Sequence, residues 1–89
     1  MNQNPDLVFS VTVTNPDGWH IRPIAAFTDL VFESGASVWV GRLGEESVRG
    51  DSVISLLTMA VKTGEHLEIR IAGAGREGLA DSLKALFDA

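Results

Sequence analysis

Along this chain of 89 residues the apolar side chains keep changing their spacing, from every second residue to every third or fourth and back. A repeat of two places them on one face of a strand, and a repeat of about 3.6 on one stripe of a helix. Leu7, Phe9, Val11 and Val13 alternate with Ser10 and Thr12, with only Val8 out of step, so the spacing predicts a first strand. The turn residues "NPDG", Asn15 to Gly18, end it. Ile24, Phe27, Leu30 and Val31 then predict a helix from Ile21 to Ser34, with Pro23 in its first turn and Gly35 as its stop. Ala36, Val38 and Val40, the turn "GRLGEES" and Val48 read as a short hairpin. Ser52 caps a second helix running to about Val61, closed by Thr63 and Gly64. Leu67, Ile69 and Ile71 make the last strand, and Leu79, Leu83, Leu86 and Phe87 a final helix from about Arg76.

The predicted order is therefore βαββαβα. Its economical arrangement is an α+β open-faced sandwich, a four-stranded antiparallel sheet with three helices on one face. No repeat, linker or low-complexity stretch divides the chain, so one domain over residues 1–89 is expected. It holds no cysteine, so packing alone must stabilise it, and a reducing compartment suits it. The apolar runs are far shorter than a membrane span requires, and "MNQNPDLVF" lacks the pattern of a secretory signal. A soluble, cytoplasmic protein is expected. The formal charge of −5, with no lysine or arginine between Pro23 and Gly41, argues against direct nucleic-acid binding; size and charge favour a monomer.

One stretch carries chemistry. In "GWHIRP", Gly18 to Pro23, His20 falls where the turn meets the amino end of the first helix. Free backbone N–H groups and the positive end of the helix dipole make that end an anion site. An imidazole titrates near neutrality and is a nucleophile toward a phosphoryl group. Arg22 adds a fork of charged donors, Gly18 permits the turn, and Pro23 stiffens the helix start. Taken singly, each of these is an ordinary surface residue. Their combination in a βαββαβα chain points to phosphate chemistry.

The stretch "GWHIRP" resembles the active-site motif of the HPr family, the histidine phosphocarriers of the bacterial phosphoenolpyruvate-dependent sugar phosphotransferase system, and the likeness runs along almost the whole chain. The resemblance implies a cytoplasmic carrier that takes phosphate from enzyme I onto the δ nitrogen of His20 and passes it to an enzyme IIA domain. Arg22 would assist it, with Gly18, Ile21 and Pro23 shaping the phosphate cradle, and no cofactor or metal would be needed. Ser52 occupies the place at which many relatives are phosphorylated by a regulatory kinase, so that kinase and a transcription regulator join the implied partners. As a helix cap, Ser52 is also fully explained.

The chain departs from the family pattern at several positions. Ile21 stands where a small residue is usual, and Asp29 and Glu33 stand on a helix that is commonly basic. Asp51 replaces a common lysine, and Trp19 a medium-sized aliphatic residue, where it either reshapes the site's rim or fills the space beneath it.

Helix two, with Val53, Ile54, Leu56, Leu57, Met59, Ala60 and Val61, is too apolar for all of them to face one sheet. The resemblance implies a partner-binding face of Val53, Ile54 and Leu57, with Ile21 and Ala25 opposite. Two other readings use the same fold: a non-catalytic regulatory module docking through helix two, and a carrier of the nitrogen-related phosphotransfer branch. His66 is expected at the surface, since two histidines without cysteine make no zinc signature. Trp39 is expected on the open face of the sheet. The G-x-G-x-x-G of Gly73, Gly75 and Gly78 lacks the following strand of a dinucleotide site and reads as turn and cap.

Overall fold

The computed structural model describes residues 6–88; residue 89 and residues 1–5, part of the stretch without a signal pattern, lie outside them. The elements are β1 (Leu7–Thr12), α1 (Ile21–Ser34), β2 (Ser37–Gly41), β3 (Val48–Arg49), α2 (Val53–Thr58), β4 (His66–Ala72) and α3 (Arg76–Ala85). This is the predicted βαββαβα order. The strands form one antiparallel sheet in the spatial order β1-β4-β2-β3, so β4 lies between the first two strands although it comes last in sequence.

Register follows the alternation. Leu7 stands opposite Ile71, Phe9 opposite Ile69 and Val11 opposite Leu67, so one face of the sheet is apolar and covered by the helices. Val38 and Val40 continue that face on β2. Ile24, Phe27 and Val31 of α1, Leu56 of α2, and Leu79, Ala80 and Leu83 of α3 close the core from above. The other face carries Ser10, Thr12, Glu68 and Arg70, as an open sheet requires. Trp39 lies on that face as expected, with the guanidinium carbons of Arg49 and Arg70 at 5.8 and 5.0 Å from its ring centroid.

Two helix boundaries differ from the periodic reading. Helix two stops at Thr58 rather than near Val61. The N–H groups of Met59 and Ala60 bond back three residues, to the carbonyls of Leu56 and Leu57, and Ala60 takes a left-handed φ of 52°. Val61 is buried, but its carbonyl turns to another segment altogether. Helix three ends at Ala85; Leu86 and Phe87 form a closing turn, and Phe87 is buried. The glycine run acts as turn and cap, with Gly75 in the left-handed conformation at the N-cap of α3.

Candidate phosphate-accepting site

The turn after β1 is built around one glycine. Gly18 has φ +77°, and a Cβ there would lie 2.7 Å from the Val61 carbonyl oxygen, so both conformation and space call for glycine. Its N–H donates to the Asn15 carbonyl at 2.9 Å and to the Thr63 hydroxyl oxygen at 3.1 Å. That hydroxyl donates in turn to the Asn15 carbonyl. The next N–H, of Trp19, donates to the Val61 carbonyl at 3.0 Å. The segment that follows α2 therefore clasps the turn by its backbone.

That segment is itself held. Arg42 donates from Nε to Glu65 Oε1 at 2.7 Å and from an η nitrogen to the other carboxylate oxygen and to the Met59 carbonyl. Glu65 also accepts from the Lys62 N–H at 2.7 Å. These bonds hold the Glu65 carboxyl down at about 2, with the Arg42 hydrogen bond the largest cause and the Lys62 N–H the next.

Trp19 fills the space beneath the site. It is 5% exposed, its ring edge-on to Phe27 at 5.2 Å and tilted against Phe87 at 5.5 Å. With Trp19 anchored inward, His20 follows in extended conformation as the N-cap residue of α1, half-buried. Its carbonyl accepts the Ile24 N–H at 3.0 Å, but its side chain makes no capping hydrogen bond. Ile21 and Arg22 are the first two helical residues, so their N–H groups have no acceptor one turn back; Pro23 has no N–H to satisfy. No acidic residue sits in the first turn to neutralise the dipole. Exposed Arg22 takes part in none of the ion pairs among the described residues. A half-buried imidazole, two free backbone donors and an exposed arginine thus belong to one helix end. Such a set can hold a phosphoryl group on the ring.

The family profile described as "PTS HPr component phosphorylation site" matches residues 7–89. The chain belongs to the HPr family. HPr structures share its fold: the phosphocarrier protein HPr of Bacillus anthracis has a TM-score of 0.85 at 23% identity, covering 94% of this chain and 99% of that one. HPr of Thermoanaerobacter tengcongensis gives 0.85 at 21% identity, over 92% and 91%. The catabolite repression protein Crh of Bacillus subtilis, described as a domain-swapped dimer, gives 0.71 at 24% identity, over 99% and 94%. None of the curated proteins compared with the chain matches it.

Within this HPr fold, Gly18, His20, Ile21, Arg22 and Pro23 come together at the start of α1. Ser52 lies apart from them as the N-cap of α2, its Oγ accepting the Ser55 N–H at 3.2 Å and donating to Ser55 Oγ at 3.0 Å. Asp51 beside it pairs with Arg49 at 3.2 Å. Of the expected docking residues, Ile21, Ile54 and Leu57 are exposed, while Ala25 and Val53 are half-buried.

Two sets of contributors escape a sequence reading. The Val61 carbonyl and Thr63 hydroxyl act from more than 40 residues away, and a backbone acceptor leaves no mark in sequence. Arg42 and Glu65 pair across 23 residues with no motif to announce it. Phe32, 82% exposed, was visible in principle, because it falls outside the stripe of Ile24, Phe27 and Val31.

Proposed function

We propose that this HPr-family protein carries phosphate on His20 between an enzyme I and an enzyme IIA domain. The observation that supports the reading best is the α1 N-cap: His20 stands there with its side chain unbonded, beside the free N–H groups of Ile21 and Arg22. In the transfer, the lone pair of one imidazole nitrogen, Nδ1 by analogy with the family, attacks phosphorus. A nitrogen–phosphorus bond forms as the bond from phosphorus to the donor breaks, and that electron pair returns to the donor. Passing the group to the acceptor reverses the step. The two amides and Arg22 meet the charge on the phosphoryl oxygens, while the Gly18 turn and Pro23 fix the geometry.

Incubation with enzyme I of its own organism and labelled phosphoenolpyruvate tests this. Acid-labile label is expected on the wild type and none on His20→Ala; label retained by that variant rejects the assignment. An unlabelled wild type, with a reference HPr charged in parallel, favours a docking module that acts without phosphate. That second reading draws support from the exposed Ile54 and Leu57 of α2. At Ser52, a regulatory phosphoryl group has to replace the hydroxyl hydrogen donated to Ser55 Oγ and accept Asp51 as a neighbour. The site therefore serves first as a helix cap.

A further inference from the structure

The loop between α2 and β4 holds a conformation that its own residues do not favour. Ala60 has φ 52°, and it is the only residue other than glycine with a positive φ among the described residues. A Cβ makes the left-handed conformation costly. Ala60 is exposed, so burial of its own side chain does not offset that cost. Its neighbours show what the conformation serves. The next carbonyl, of Val61, accepts the Trp19 N–H at 3.0 Å, and the Thr63 hydroxyl oxygen accepts the Gly18 N–H at 3.1 Å.

Arg42 pins this loop on both sides of the strained residue. An η nitrogen donates to the Met59 carbonyl at 2.9 Å, just before Ala60. Nε and that same nitrogen donate to the two Glu65 carboxylate oxygens at 2.7 and 3.2 Å, just before β4 begins. Glu65 closes the loop in its middle by accepting the Lys62 N–H at 2.7 Å. A planar guanidinium serves both acceptors at once, which an ammonium point charge does with less precision. The pair is partly open to water and adds little to stability by its charge. Its contribution is geometry.

We infer that Arg42 is a positioning residue for His20. It makes no hydrogen bond to the imidazole. Its effect passes through the backbone, from Met59 and Glu65 to Val61 and Thr63, from these to the N–H groups of Trp19 and Gly18, and from Trp19 to the next residue, His20. Released from Arg42, Ala60 relaxes toward a right-handed conformation and the Val61 carbonyl leaves the Trp19 N–H. The imidazole then loses its fixed approach at the start of α1, and a misplacement of about 1 Å slows transfer steeply. The inference rests on the carrier reading for the reaction that this geometry serves.

Initial rates of label transfer from enzyme I of its own organism, with this protein as the varied substrate, separate positioning from stability. Arg42→Met is expected to lower kcat about tenfold and to leave KM within about twofold. Arg70→Met removes another partly exposed ion pair, with Asp6, and is expected to change neither. Adding Ala60→Gly to Arg42→Met lifts the penalty on the left-handed conformation and is expected to recover most of the lost kcat. An unchanged kcat in Arg42→Met, a loss no larger than its unfolded fraction by circular dichroism, an equal loss in Arg70→Met, or a loss that Ala60→Gly does not reduce overturns the inference. Amide hydrogen exchange of the unphosphorylated protein reads the same link without enzyme I. The Gly18 and Trp19 N–H groups are expected to exchange about tenfold faster in Arg42→Met than in wild type. A wild type that takes no label rejects the carrier reading; faster exchange with shifted His20 ring resonances then sustains the positioning role, and unchanged exchange overturns it.

Discussion

Gly18 is the residue on which the site's geometry turns. Any side chain there meets the Val61 carbonyl and must hold φ +77°, so Gly18→Ala is expected to cost about 1–3 kcal/mol and to displace His20. Denaturant unfolding gives the first number, and the rate of labelling gives the second. Ser52 offers a contrast, because its hydroxyl has a folding role that needs no phosphate. Ser52→Ala is expected to lose about 1 kcal/mol, read by the same unfolding measurement; an unchanged midpoint removes the cap role. The sequence shows both residues, but for different reasons. A serine before an apolar run is a local signal, whereas the need for glycine at residue 18 comes partly from a carbonyl 43 residues later.

Among the elements, the strands and α1 were legible because their side chains alone decide which face is buried. The end of α2 was not. Met59, Ala60 and Val61 continue an apolar pattern, yet the backbone leaves the helix so that Val61 can hold the Trp19 N–H. That demand belongs to the site and not to the helix. The segment concerned is secured by Arg42 and Glu65, and its contribution should follow pH. Glu65 is lowered from 4.5 to about 2 on folding, so its pairing stabilises the protein fully above the unfolded value and is lost as pH falls through the folded one. The stability gap between wild type and Glu65→Gln should be constant near neutrality and shrink between pH 4.5 and about 2. A gap that persists at the acid end shows that the carboxylate charge is not its source. The pair is partly exposed to water, so the gap itself should be small.

At the scale of the molecule, the core and the site share an aromatic cluster. Trp19, Phe27 and Phe87 join the turn before α1, the middle of α1 and the chain's closing turn, with Phe27 and Phe87 at 6.2 Å. Removing so large a buried ring, as in Trp19→Ala, is expected to cost about 3–5 kcal/mol, most of the stability available to a chain this small. Thermal unfolding should show a greatly lowered midpoint. Periodicity could not place Trp19 in this cluster, since it stands outside both the strand and the helix and its burial depends on Phe87 arriving from the far end of the sequence.

The two tryptophans occupy opposite surroundings. Trp19 is sealed in apolar contacts one residue from the imidazole, and Trp39 lies half-open beneath two guanidinium groups on the far side of the sheet. The protein thus contains a dry fluorophore beside the His20 ring and a wet one remote from it. A Trp39→Phe variant leaves the dry indole alone, and under the proposed carrier role its emission is expected to record, in real time and without label, each arrival and departure of charge at His20.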